Sequence, residues 1–209
     1  MSTDPDLETV SSGKRERSKA ANRDAILAAA RLVFAEIGYE AATVRDIIRR
    51  TELASGTFYN YYKSKEEVFQ ALADDGARRF RPILRAVREQ ATSFESYLRM
   101  ALLAYFKFRV EESMGLPPSQ FGPSIRPFHT PELEAVYAEV REGIEDVIAR
   151  GLAPKVDADY LACACIGIAQ EVGDSMLARG AHEIERAVAF CADFILGGLE
   201  RTAQAQSGA

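Results

Sequence analysis

The spacing of apolar residues constrains this chain more than any other feature. They recur every three or four positions along most of its 209 residues, and no stretch sustains the two-residue alternation of a half-buried strand. The spacing predicts an all-α protein. Thirty-three alanines, the strongest helix formers, point the same way, while Gly and Pro collect at a few junctions.

Helix starts and stops can be read along the chain. From Asn22, one helical face carries Ile26, Ala30, Val33, Phe34 and Ile37, and Gly38 supplies the stop. Thr43-Val-Arg-Asp46 reads as a capping box opening a short helix to about Arg50, and a second short helix is expected from Ser55 to Tyr61 after the Thr51-Glu-Leu-Ala54 connection. Ser64-Lys-Glu-Glu67 is a stronger box. Its helix continues through Val68, Phe69 and Leu72 toward Gln90, with a kink or break expected near Arg78 to Arg81 because Pro82 cannot donate its hydrogen bond. Thr92 with Glu95 opens the next helix, where Phe94, Tyr97, Leu98, Leu102, Tyr105, Phe106 and Phe108 leave little polar face. Residues 115 to 131 hold five of the eight prolines and read as an irregular connection. Thr130-Pro131 pairs an N-cap with proline at the first helical position, and Leu133, Tyr137, Val140, Ile144 and Ile148 carry that helix to Gly151. Two more helices follow. Leu161, Cys165, Ile168, Val172 and Met176 step by 4, 3, 4 and 4, and after Arg179-Gly180 the residues Ile184, Val188, Cys191, Ile195 and Leu199 step likewise. Residues 1 to 13 and 204 to 209 are expected as disordered tails.

The net charge of −5 hides a split, with −3 on residues 1 to 13, +5 on residues 14 to 65 and −7 on the remainder. A basic segment on an acidic protein suits a nucleic-acid partner for that segment alone. Three cysteines cannot all pair, no run approaches 18 apolar residues, and the amino terminus is acidic where a secretory signal is basic and then apolar. The expectation is a cytoplasmic protein that is not bound to a membrane. Enzyme chemistry finds little to hold: His129 and His182 are the only histidines, and no glycine-rich phosphate loop occurs. Cys163 and Cys165 sit about 200° apart around a helix and cannot share a metal from that spacing. No catalytic residue, metal or cofactor is expected.

Two short helices joined by about four residues and preceded by a longer amphipathic one make a helix-turn-helix, whose second short helix enters a DNA major groove. Ser55, Thr57, Tyr59, Asn60 and Tyr61 put hydroxyl and amide groups on that helix. Hydroxyls suit phosphate oxygens, and Asn60 offers a paired donor and acceptor to adenine. Gly56 leaves room for close backbone approach. Phe58 and Tyr62 are expected to pack the module together, while Arg49 and Arg50 divide evenly between phosphate contact and solvated face. Arg45, Lys63, Lys65 and the arm Lys14-Arg15-Glu16-Arg17-Ser18-Lys19 supply cations around it, the arm reaching along the backbone or into a minor groove.

From Ala25 to Phe69, including GYEAATVRDII and SGTFYNYYKSKEEVF, the chain resembles the DNA-binding domain of the TetR family of bacterial transcriptional regulators. The resemblance covers about a quarter of the chain, with Gly56-Thr-Phe-Tyr59 and Tyr62-Lys-Ser-Lys-Glu as its most distinctive blocks. It implies a homodimer whose carboxy-terminal domain binds an effector that releases operator DNA. By position, the DNA contacts would fall on Thr43, Arg45, Ser55, Gly56, Thr57, Tyr59, Asn60, Tyr61 and Lys65. The turn departs from the family's usual Ala-Gly-Val-Ser: Glu52 stands where a glycine tolerates positive φ, and Ala54 lacks an N-cap hydroxyl unless Ser55 takes that role.

The expected organisation is an amino-terminal three-helix helix-turn-helix DNA-binding domain at 14–66 and a larger helical ligand-binding and dimerisation domain at 67–203. The seams on the last two helices either face the subunit's own core or meet the same pair from a second copy. The resemblance favours the second, making Leu161, Cys165, Ile168, Val172, Met176, Ile184, Val188, Cys191, Ile195 and Leu199 a dimer interface with Gly197 and Gly198 allowing close approach. An effector pocket is expected among the aromatics between about 68 and 150, from Tyr97, Tyr105, Phe108, Phe128 and Tyr137, with Arg109, His129 and Gln170 as polar groups. Phe121 and Arg126 are further candidates. The effector class is apolar or amphipathic, and the implied mechanism is a shift between two populations of the dimer, with the bend at Pro82 as a candidate transmitter. The competing reading is a dimeric small-molecule-binding or scaffold protein with a degenerate head, for which Glu52 and the acidic total charge argue.

Overall fold

The computed structural model describes residues 5–113, 130–179 and 183–207, and among these every regular element is a helix. The chain forms two compact units, Met1–Leu72 and Ala73–Ala209.

The first unit holds α1 (Pro5–Ile37), α2 (Val44–Arg49), α3 (Ser55–Tyr59) and the first turns of α4 (Lys65–Gln90). Its core is Ile26, Ala30, Val33 and Phe34 of α1 against Ile47 of α2, Phe58 of α3 and Val68 and Ala71 of α4. Because Val68 and Ala71 belong to this core, the unit ends at Leu72 rather than at residue 66. Ile37, expected on the buried seam, is 46% exposed. Gly38 ends α1 at φ 78°, its N–H donating to Phe34 O at 3.0 Å, a left-handed cap that glycine adopts without Cβ strain. α1 begins at Pro5, inside the segment expected as a tail. Proline sacrifices no hydrogen bond in a first turn.

The second unit holds the rest of α4 with α5 (Phe94–Glu112), α6 (Pro131–Ala149), α7 (Ala158–Ala178) and α8 (Ile184–Ser207). Phe106, Ile144, Val147, Cys191 and Ala192 lie at its centre. α4 continues through Pro82, so of the expected kink or break, the break does not occur. Pro82 and Arg78 are both exposed, so the Arg78 carbonyl that loses its helical donor lies at the surface, within reach of water. α5 is capped by Ser93 with Ser96 rather than by Thr92 with Glu95: each serine hydroxyl accepts from the other residue's backbone N–H at 3.0 Å. Thr130 caps α6 by accepting from Leu133 N, with Pro131 at the first position, and Gly151 follows at φ 71°. α8 continues past the expected tail boundary to Ser207.

The seams of α7 and α8 turn inward. Cys165, Met176, Cys191, Ile195 and Leu199 are buried in the subunit's own core, and Leu161, Ile168, Val172, Ile184 and Val188 pack half-buried against it. The branched and sulfur-bearing residues on this face remove more apolar area from water than the opposite faces, which carry exposed Gly197 and Gly198 and the half-buried Gly167 beside exposed aromatic rings.

Candidate nucleic-acid interface

α3 has only five residues, and its two faces do different work. Phe58 is fully buried, its ring 5.5 Å from that of Tyr59 and 6.2 Å from that of Tyr62, which is also buried. Ser55, Gly56, Tyr59 and Asn60 are exposed, Tyr59 by 55%, and Thr57 is half-buried. A Cβ built on Gly56 meets nothing within 4 Å, so the protein's own packing does not demand glycine there.

The turn before α3 closes without glycine. The Thr51 hydroxyl donates to Ile48 O at 2.8 Å and accepts from Leu53 N at 3.2 Å, spanning the position of Glu52 with a side-chain bridge. Ala54 is the N-cap of α3 and makes no side-chain cap bond; Ser55 is the first helical residue and does not replace it. Ala54→Ser therefore should stabilise the amino-terminal unit by about 1 kcal/mol. Urea unfolding of full-length protein checks this, and an unchanged midpoint would refute the missing cap.

Thr43 caps α2 in a complete box. Its N–H donates to Asp46 Oδ2 at 3.0 Å, its hydroxyl donates to the same oxygen at 2.5 Å and accepts from Asp46 N. These bonds, led by the one from the hydroxyl, hold the Asp46 carboxyl below its ordinary pKa. Thr43 and Arg45 are exposed beside α3 in the sequence, as is Arg49. Arg50 instead pairs with Glu36 of α1.

Two expected contacts have internal partners. Tyr61 accepts from Asn22 Nδ2 at 3.2 Å. Lys65 donates to Tyr39 O at 2.9 Å and Glu40 O at 3.2 Å, and its ammonium stands 4.5 Å from the centre of the Tyr39 ring. Lys65 thereby ties the start of α4 to the loop before α2. Tyr39 donates to Glu66 Oε1, and burial followed by that bond pushes its phenol up to about 12. The arm is part of α1, with Arg15, Arg17 and Lys19 exposed. A helix about 10 Å across does not fit a minor groove about 6 Å wide, so in this conformation the arm suits phosphates along the backbone.

The expected effector residues that are described take different surroundings. Tyr97 is buried in the core and donates to Val140 O. Arg109 donates to Tyr105 Oη at 2.9 Å and Asp174 at 2.5 Å, a half-buried cluster beside the core. Phe108 packs on Phe80, Gln170 is half-buried and Tyr137 is 36% exposed. Phe121, Arg126, Phe128 and His129 lie outside the described residues. Burial pushes the thiols of Cys165 and Cys191 up to about 12 and about 11, so neither is a ready nucleophile. Sequence reasoning passed over Glu139, a carboxylate 3% exposed among arginines of α4. Its signal was the matched spacing of charges on two helices.

A small core presenting the polar face of a short second helix, joined to a larger helical unit, defines the class of helix-turn-helix regulators. Residues 26–72 match the family described as bacterial regulatory proteins, tetR family. The chain is 24% identical over 142 residues to the HTH-type transcriptional regulator YhgD of Bacillus subtilis, covering 66% of this chain and 74% of that protein. It is 43% identical over 58 residues to the repressor AcnR of Corynebacterium efficiens, spanning 28% of this chain and 31% of AcnR. The fold is that of FadR from Bacillus subtilis, solved with stearoyl-CoA, at a TM-score of 0.69 and 18% identity over 83% of this chain and 97% of that one. Residues 26–72 are thus similar to the amino-terminal domain of tetR-family regulatory proteins, and the fold of the whole chain is similar to that of solved regulators of this architecture.

Proposed function

We propose that the protein is a homodimeric, cytoplasmic repressor of a palindromic operator, released by an amphipathic effector. The observation that carries the reading is α3: its apolar residue is fully buried while Ser55, Tyr59 and Asn60 stand exposed together, chemistry suited to phosphates and base edges. Thr43 and Arg45 are proposed to join them, with Thr57, Tyr61 and Lys65 acting from half-buried positions. The scaffold reading loses its main support, because Thr51 closes the turn around Glu52.

Dimerisation is proposed through the faces of α7 and α8 opposite the seams. Phe190 and Phe194 are 61% and 64% exposed, and their rings stack with centroids 6.2 Å apart. Gly197 continues that face at helical spacing, with open space around it. On α7, Tyr160 is 78% exposed and Gly167 is open. α7 is long and apolar enough by composition to cross a membrane, yet only 33% of its most apolar stretch is buried within the subunit, which leaves apolar surface for a second copy. Two-fold symmetry would set two reading helices about 34 to 36 Å apart on one side of the duplex. The likeness to a FadR bound to stearoyl-CoA supports an acyl-type effector near Tyr105, Phe108 and Arg109, with Tyr137, Gln170, Phe128 and His129 as further candidates.

Selection of bound duplexes from fragmented genomic DNA, at stated salt, tests the reading. The wild type should enrich an inverted repeat. Phe190→Glu with Phe194→Glu should sediment as a monomer and bind that repeat roughly a hundredfold more weakly. Equal weak affinity for every duplex would leave the scaffold reading standing, and a variant that stays dimeric would refute the proposed face.

A further inference from the structure

α4 and α6 run parallel, and three side-chain hydrogen bonds between their charged groups share one offset, with longer ion pairs from Arg81 and Arg88 to Glu139 crossing between rungs. Arg78 meets Glu132 at 3.4 Å, Arg85 meets Glu139 at 3.2 Å and Arg88 meets Glu142 at 2.8 Å, each pair 54 positions apart. The arginines 78, 81, 85 and 88 share one face of α4. The same offset sets Arg81 opposite Ala135. The ladder therefore has four cations and three carboxylates, and the rung that lacks its acid is Arg81's.

Among the described residues no acid fills it with a hydrogen bond. The nearest carboxylate oxygen paired with Arg81 is Glu139 Oε2, 3.7 Å from its Nε, an ion pair too long for a hydrogen bond. That oxygen already accepts from Arg85, and Glu139 Oε1 lies 3.3 Å from Arg88. Glu139 is buried, and Arg85 and Arg88 both lie closer to its carboxylate than Arg81 does. At the vacant rung a groove of 290 Å³ opens, with Ala77, Pro82 and Ala135 as apolar wall and Arg78, Arg81 and Arg85 as its cations. Glu132 sits at one end, already paired with Arg78.

We infer that this groove binds the anionic head of a small organic molecule, a carboxylate or a phosphate, in the place where the ladder lacks a carboxylate. Arg81 is the principal partner, because a guanidinium presents parallel donors that match both groups. The apolar wall takes the first carbons of an attached chain. The inference goes beyond the reading as a repressor, and direct binding tests it whether or not an operator is found.

The test is calorimetric titration of full-length protein with hexanoate and, separately, hexyl phosphate, at ionic strength held constant with sodium chloride. One saturable site per subunit is expected for at least one probe, and which probe binds tells a carboxylate site from a phosphate site. Arg81→Gln should weaken binding about tenfold or more, consistent with losing a charge-assisted pair. Ala135→Glu should abolish binding and raise Tm, since it supplies the missing carboxylate from the protein itself. Melting curves of both variants separate lost binding from lost fold. Neither probe binding above the chloride control, or both variants folding and binding like the wild type, would overturn the inference.

Discussion

Phe58→Ala should unfold the amino-terminal unit and end operator binding, whereas Tyr59→Ala should leave the unit folded and still cost most of that binding. The two side chains are neighbours in sequence on opposite faces of α3. Phe58 is fully buried among Ile26, Ile47, Tyr62 and Val68. Truncating a buried Phe costs about 3–5 kcal/mol. A unit of 72 residues has about 4–11 kcal/mol to lose at typical stabilities of about 0.05–0.15 kcal/mol per residue, so the truncation removes roughly a third or more of it and at the lower end all of it. Tyr59 is 55% exposed, and its estimated stability change is within about 0.5 kcal/mol. Losing its contact should cost roughly 1–3 kcal/mol of binding per half-site, by analogy with a good base contact. Urea unfolding followed by amide resonances of each unit, beside titration of the selected operator, distinguishes the two. Full operator affinity in the Tyr59 variant would remove α3 as the reading helix. An undiminished melt in the Phe58 variant would show that the head's core does not depend on that ring.

The local signals in the sequence were sound where one residue's chemistry decides one backbone event. Thr43 with Asp46, Thr130 with Pro131, and the glycines at 38 and 151 each answer to a hydrogen bond or a dihedral that only a few residue types satisfy. The buried face of α3 was legible for the same reason, since Phe58 is the one large apolar residue among the five of that helix.

Choices between two partners were not legible. The seams of α7 and α8 fit a core or a second copy equally well by spacing, and the outcome turned on which face buries more area, a property of several helices together. That Lys65 also ties down two backbone carbonyls was not legible, because they lie 25 and 26 residues earlier, where no local pattern points to them. Thr51 replaces the family's turn glycine by a hydroxyl bridge, a substitution of mechanism that the comparison of residue types alone concealed. The charge ladder had a visible period on both helices, yet its register of 54 required knowing that α4 and α6 run side by side.

Gly143→Ala should destabilise the carboxy-terminal unit by roughly 2 kcal/mol, the reverse of what a glycine-to-alanine change does on an open helix. Gly143 is buried in α6 against Tyr97 of α5. A Cβ there would lie 2.5 Å from Cζ and 2.8 Å from Cε2 of Tyr97, and closer still to the phenolic oxygen, well inside the about 3.5–4.0 Å at which carbon atoms attract. Helix propensity favours alanine by about 1 kcal/mol. Against it stand overpacking at about 1–3 kcal/mol and strain on the bond from Tyr97 to Val140 O, worth about 0.5–1.5 kcal/mol. The ring is 3% exposed and held at both ends, so it cannot swing aside. This contact also explains why Tyr97, an expected effector residue, serves packing between α5 and α6 instead. A double-mutant cycle with Tyr97→Leu isolates the cause, because a flexible, shorter side chain relieves the clash and lets the propensity gain show. In that background Gly143→Ala should become neutral or stabilising in urea unfolding. If Gly143→Ala stabilises the wild-type protein, the close packing of α6 on Tyr97 is wrong.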